Sequence, residues 1–260
     1  MIKVGHHLSD AEIEQRYSEI AGTLGMPGYF YGAVAAFPAA RSGARLLDVG
    51  CGNGDLLREL EGRFEGSLLA GVEISSGRLR LARERLGGRV SLLQTGGKGA
   101  LPFEDGSFDF VFVTEVLEHL KQPEALLAEV RRVLSPGGRL VLTTPNADAF
   151  LMWPLFARVA EAAPGLPLVR RLLPHEHPLR TLQPIDTLLT RGDVEALLER
   201  SGFRVLRVAG RETLPALFSL PGLRWLDYRG WLPRGLLDGL LGRVSGTRFA
   251  YRLFWECTRV

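Results

Sequence analysis

Near-continuous apolar runs of strand length alternate with amphipathic runs of helical period through the middle of the chain. "ARLLDVG" (44–50), "SLLAGVE" (67–73), "RVSLLQT" (89–95), "FDFVFVT" (108–114) and "RLVLTT" (139–144) read as strands, and their continuous apolar character is that of strands buried on both faces. Between them, "GDLLRELEGRF" (54–64) places Leu56, Leu57, Leu60 and Phe64 on one helical face, and "SGRLRLARERL" (76–86) is a second amphipathic helix. "PEALLAEVRRVL" (123–134) opens on a proline, which a first helical turn tolerates, and "SPGG" stops it before the next strand. Farther on, Thr190 and Asp193 can cap a helix over "VEALLERSG" that ends on Gly202. "FRVLRVAG" (203–210) and "AYRLFWECTRV" (250–260) supply the last two strands.

This alternation predicts an α/β fold, a doubly wound and mostly parallel sheet with helices on both faces. Ahead of it, "DAEIEQRYSEIAG" reads as a helix and "MPGYFYGAVAAF" as an aromatic loop. Two stretches, 145–188 and 211–248, break the rhythm with proline, arginine and apolar residues, and are expected to be insertions where loops build sites. The expected organisation is one domain over 1–260. It comprises an N-terminal cap (1–43), a core (44–144), the two insertions, and the end of the sheet in 189–210 and 249–260.

Composition narrows the classes. Of the 260 residues, 46% are hydrophobic and 23% charged, which suits a globular protein with a real core. The net charge of +3 is uneven: residues 1–150 hold 16 Lys+Arg against 19 Asp+Glu, and residues 151–260 hold 16 against 10. The basic second part suits an anionic substrate or a membrane surface, although a spread of solvated arginines is the plainer explanation. It lacks the clustered footprint of a nucleic-acid binder. Cys51 and Cys257 stand far apart without metal-ligand or disulfide-framework spacing, so no metal site is expected and a reducing compartment is the default. "MIKVGHHLSD" lacks an apolar signal region, and no apolar run approaches the roughly 20 residues that span a bilayer. A cytoplasmic location is the expectation.

The candidate chemistry begins at "DVGCGNGDLL" (48–57). A strand, a glycine turn and a helix N-terminus form a cradle whose missing Cβ atoms admit a ligand. A dinucleotide fingerprint requires a third glycine where Asp55 stands, and no phosphate-loop motif G-x-x-x-x-G-K-[ST] is present. Glu73, ending the next strand, is placed to accept both hydroxyls of a ribose. A cofactor with a ribose and no phosphate at the turn satisfies both facts.

"LLDVGCGNGDLL", "GVEIS", "LPFEDGSFDFVFVTEVLEHL" and "VLSPGGRLVLTTPN", in this order and spacing, resemble the class I S-adenosylmethionine-dependent methyltransferases, most of all the branch that includes quinone-biosynthesis and other small-molecule enzymes. The resemblance covers roughly residues 44–146. It implies a Rossmann-like seven-stranded sheet in the order 3-2-1-4-5-7-6 with an antiparallel last strand. It implies that Asp48, Gly50, Cys51, Gly52 and Gly54 surround the methionine part of S-adenosyl-L-methionine. Glu73 would take the ribose, Ile74 would pack on the adenine, and Thr114 and Glu115 would line the floor near the sulfonium. One departure stands out: relatives place an acidic residue where this chain has Gly97, which leaves Gln94, Thr95 or backbone atoms to meet the adenine.

The function so implied is methyl transfer to a small or amphiphilic acceptor, at oxygen or carbon, enclosed by the two insertions and the N-terminal aromatics. His119, His175 and His177 are the candidate bases, each with a structural alternative. Cys51 reads as a small packing residue, since nothing nearby supplies a base. Tyr17, Tyr29, Phe30 and Tyr31 can cover the acceptor or pack the N-terminal helix on the sheet. Trp225, Tyr228 and Trp231, with the arginines around them, suit a pocket wall, a dimer contact, or a peripheral lipid contact through 145–188 and 211–248. The alternatives are a cofactor-binding protein without catalysis, favoured only by Gly97, and an RNA methyltransferase. The second lacks any RNA-binding appendage.

Overall fold

The computed structural model describes residues 3–260 except 5, 20–25, 27, 40–41, 97–98, 150–183, 188, 212–246 and 248–249. Among the described residues, nine strands are numbered in chain order. They are β1 (Lys3–Val4), β2 (Arg45–Val49), β3 (Leu68–Glu73), β4 (Ser91–Gln94), β5 (Phe108–Thr114), β6 (Leu134–Pro145), β7 (Asp186–Thr187), β8 (Phe203–Arg211) and β9 (Arg252–Arg259). The helices are α1 (Asp10–Glu19), α2 (Gly28–Ala36), α3 (Asp55–Arg63), α4 (Ser76–Leu86), α5 (Pro123–Val133) and α6 (Arg191–Arg200).

Seven strands make one sheet in the order β4-β3-β2-β5-β6-β9-β8. The first five are parallel, and β9 runs antiparallel to both β6 and β8. Counted along the chain, this is the expected order 3-2-1-4-5-7-6. Alternate residues of the central strands face opposite layers. Leu47, Val49, Val111, Val113, Leu140 and Leu142 pack with α5 and α6. Leu46, Phe112, Val141 and Phe254 pack with α2, α3 and α4. The expected cap on α6 is a reciprocal capping box: Thr190 Oγ1 accepts from the Asp193 N–H, and the Asp193 carboxylate accepts from the Thr190 N–H.

The sequence expectation is corrected at three places. The "aromatic loop" is helix α2, whose Phe30 and Val34 lie four apart and whose following Phe37 stacks, like Phe30, edge-on against Phe254. Its residues are apolar nearly all round, so no polar stripe reveals the helical period. "SPGG" does not separate a helix from a strand, because β6 already begins at Leu134. Phe108 pairs with Leu134 and Phe110 with Arg139, so the four residues are taken up as an irregularity within the ladder. Finally, β1 and β7 pair antiparallel as a two-residue ribbon, too short to leave a period in the sequence. The insertions 145–188 and 211–248 lie mostly outside the described residues.

At Gly71 the sheet leaves no room for a side chain. A Cβ there would stand 2.7 Å from Leu57 Cδ1, 2.9 Å from Cys51 Sγ and 3.0 Å from Leu92 Cδ2. Overpacking of this kind costs about 1–3 kcal/mol. Gly71→Ala should therefore lower Tm by roughly 2–10 °C at this chain length in a thermal melt followed by circular dichroism. An unchanged Tm would contradict this packing.

Candidate active site

Strand β2 has β3 on one side and β5 on the other, so the chain leaves the sheet in opposite directions on either side of it. In open α/β sheets ligands bind at such a switch point, beyond the carboxyl ends of the strands. The loop after β2 is tied to its neighbour: Gly50 and Cys51 N–H both donate to the Val72 carbonyl, at 2.8 and 3.0 Å, and Gly54 N–H donates to the Cys51 carbonyl at 2.9 Å. Gly50, Gly52 and Gly54 all have positive φ, at 75°, 53° and 83°.

The three glycines serve different ends. A Cβ on Gly50 would fall 2.5 Å from Val116 Cγ2, and one on Gly54 would fall 2.8 Å from Leu86 Cδ1. These two are glycine because protein packs against them. Gly52 alone faces open space. The expectation that all three clear room for a ligand is therefore corrected, and only Gly52 opens the cradle. Cys51 is the small packing residue that its surroundings in the sequence suggest: its buried side chain joins the core with Leu57 and Leu92, and burial pushes its thiol up. Asp55, standing where a dinucleotide fingerprint has its third glycine, pairs with Arg85 at 2.8 Å on the protein surface.

Glu73 connects both sides of the cleft. One carboxylate oxygen accepts from Gly52 N–H and the other from Ser75 N–H, each at 2.9 Å, which leaves further lone pairs for a ligand. Asp48 is 2% exposed. Burial, reinforced by the nearby Glu73 carboxylate, pushes its carboxyl up to about 8. Two close, buried carboxylates suit a cationic ligand.

The floor is a polar network, largely unforeseen. Glu115 has φ 53°, the one positive value at a non-glycine position among the described residues. Its carboxylate accepts from Thr143 Oγ1 at 2.9 Å and pairs with Arg252 at 2.8 Å. Arg252 is itself nearly buried and lies over the Phe30 and Tyr251 rings. Thr144 Oγ1 donates to Glu118, and Asn146 Nδ2 donates to the Ala250 carbonyl. Thr114 Oγ1 is buried without a hydrogen-bond partner. A signal for Arg252 was present, since it is a cation directly ahead of the apolar run "LFW" of β9. Its partner could not be read, because the ion pair spans 137 positions.

His119 donates from Nδ1 to the Ile185 carbonyl at 2.8 Å and stands edge-on to Tyr17. Burial, with Arg78 nearby, lowers it to about 4. It is thus a neutral imidazole with its Nε2 lone pair free of the Ile185 bond. His175 and His177 lie outside the described residues, as do Trp225, Tyr228, Trp231 and Gly97. Tyr17, Leu8, Ile13 and Ile185 form a cluster against which Ile74 packs, so α1 lies over the position expected for adenine. The Gln94 amide nitrogen is already engaged with Glu14 and the Ile74 carbonyl. Phe30 packs in the core, and burial pushes Tyr31, near Asp55, Asp48 and Glu115, up to about 12.

Residues 47–142 match the family described as a methyltransferase domain. An O-methyltransferase from Penicillium expansum (cnsE) is 29% identical over 201 residues, covering 75% of this chain and 65% of that protein. A ubiquinone biosynthesis O-methyltransferase from Xanthomonas oryzae pv. oryzae is 37% identical over 139 residues, covering 51% and 53%. This chain therefore spans between about half and two thirds of the length of these relatives. A Thermotoga maritima crystal structure, described as a SAM-dependent methyltransferase and possible histamine N-methyltransferase, superposes with a TM-score of 0.63 at 16% identity. The match covers 95% of this chain and all of that one, a likeness of fold.

Asp48 gives a test by pH. Its carboxyl binds a proton near 8 when folded and near 4 when unfolded. Between those values the folded state holds the extra proton, so Asp48 makes stability fall as pH rises from about 4 to about 8 and not beyond. Asp48→Asn should gain stability relative to the native chain across that window, read from urea midpoints at pH 4 and pH 8.5. Parallel pH dependence of the two proteins would contradict a buried Asp48 charge.

Proposed function

We propose that this chain, which carries a class I S-adenosylmethionine-dependent methyltransferase domain, binds S-adenosyl-L-methionine at the β2–β3 edge and passes its methyl group to a small acceptor. The carrying observation is Glu73, held by Gly52 and Ser75 beneath the one open glycine of the loop. The residues fit the cofactor. Gly52 leaves room at the turn, Glu73 can take ribose hydroxyls, and the Asp48–Glu73 pair suits a ligand carrying an ammonium and a sulfonium. Relatives named as O-methyltransferases support oxygen as the receiving atom.

Bound there, the cofactor supplies an electrophilic methyl carbon on a good, neutral leaving group. What remains for the protein is mainly positioning, worth up to about 7–11 kcal/mol in favourable cases. Thr114 and Glu115 form the floor at the end of β5. The Glu115–Arg252 pair fixes that floor to β9 and, through Arg252 over Phe30, to α2. Helix α1 packs on Ile74, and Phe30 of α2 lies against Arg252. A hydroxyl acceptor must lose a proton, and His119 Nε2 is the neutral basic nitrogen the described residues place nearest the end of β5.

Calorimetric titration with S-adenosylhomocysteine tests the reading. The native chain should bind it, and Glu73→Ala should bind about tenfold to a hundredfold more weakly, the loss expected for charge-assisted hydrogen bonds. No binding by the native chain, or equal affinity in the variant, would overturn it.

A further inference from the structure

The end of β4 carries a side-chain amide whose orientation is settled by its partners. Gln94 Nε2 donates to Glu14 Oε1 and to the Ile74 carbonyl, each at 3.1 Å. A carboxylate and a carbonyl accept and do not donate, so the amide nitrogen must face them and both its hydrogens are spent. The Gln94 side-chain oxygen is then turned the other way, and it accepts from none of the described residues. Gln94 is exposed, so that oxygen is open to a donor on a ligand.

The bond to Glu14 is not what fastens α1 to the sheet. Ile13 and Tyr17 pack in the cluster against Ile74, the Arg78 guanidinium lies 5.2 Å over the Tyr17 ring, and Ser18 Oγ is 3.0 Å from Ser75 Oγ. Glu14 stands three and four positions before Tyr17 and Ser18, on the same helical face, and is half-buried. One more hydrogen bond to an exposed amide adds little to that fastening. What it does fix is the direction of the amide.

The place of the amide says what it meets. Gln94 is the register partner of Glu73 across the β3–β4 ladder, and Thr95 N–H donates to the Glu73 carbonyl at 3.0 Å. The Gln94 amide is bonded to Ile74, the residue directly after Glu73. In the order β4-β3-β2-β5 it therefore stands on the side of Glu73 away from the glycine loop and the floor. A cofactor with its ribose on Glu73 and its methionine end at the loop after β2 extends its base toward β4. Adenine presents an amino group, a donor, where hypoxanthine presents an oxygen. An acceptor held in one orientation tells the two apart.

We propose that Gln94 receives the amino group of the cofactor's adenine on its side-chain oxygen, and that Glu14 of α1 is the positioning residue that holds the amide in that orientation. The proposal rests on the cofactor reading above and adds to it the part of the site that selects the base. Helix α1 thereby belongs to the cofactor site through a side chain that never touches the ligand.

Calorimetry on the full chain with S-adenosylhomocysteine and S-inosylhomocysteine, which differ at that one group of the base, tests it. The native chain should bind the adenosyl compound about tenfold more tightly, the weight of a hydrogen bond gained against two oxygens opposed. Gln94→Met removes the acceptor and should bring the two Kd values within about twofold of each other. Glu14→Ala frees the amide to turn its N–H toward an oxo group and should lose most of the preference, whereas Glu14→Gln still offers an acceptor and should keep it. That rescue separates orientation from a merely structural role, and circular dichroism reports that each variant is folded. If Gln94→Met does not fold, the two Glu14 variants decide. A preference that survives in a folded Gln94→Met or in Glu14→Ala would overturn the proposal, as would its loss in Glu14→Gln. Equal binding of the two compounds by the native chain overturns this proposal alone and leaves the cofactor reading standing. A native chain that binds neither compound overturns the cofactor reading, and this proposal with it.

Discussion

The Glu73 carboxylate, accepting from Gly52 N–H on one side and Ser75 N–H on the other, is the contact on which the geometry of this cleft depends. It ends β3, fixes the loop after β2, and orients the first turn of α4 in a single residue. The backbone around it is committed elsewhere: Gly50 and Cys51 extend the ladder to Val72, and Gly54 turns back onto Cys51. With those amides spent, Gly52 N–H has the carboxylate as its partner, and the loop holds its shape ready for a ligand. Such preorganisation is what a positioning enzyme needs most.

The charges around the cleft differ from side to side. Burial and the nearby Glu73 carboxylate push Asp48 up to about 8, and a cationic ligand beside the pair would favour the charged form. Glu115 is neutralised by Arg252, so the floor contributes a fixed hydrogen-bonded surface and no free charge. A buried pair like this is weak evidence for stability. Its position, joining the end of β5 to β9 and to the cap through Phe30, argues for a role in alignment.

Most of the sheet was legible because its strands are apolar on both faces and its helices are amphipathic, which are local signals. The glycine loop and Glu73 were legible because a turn and a strand end must carry particular residue types. Their reasons were only partly so: Gly50 and Gly54 are glycine to accommodate Val116 and Leu86, contacts made by residues far along the chain. Helix α2 escaped because an apolar helix without a polar stripe shows no period. The Arg252–Glu115 pair and the α1 cover on Ile74 escaped because each depends on which residues meet in space.

The most direct measurement is a crystal structure of the full chain grown with S-adenosylhomocysteine. Glu73 should there accept from both ribose hydroxyls, with the ligand passing over Gly52 and its sulfur facing Thr114 and Glu115. A ligand seated elsewhere, or a Glu73 carboxylate that makes no contact with it, would contradict the assignment of this cleft.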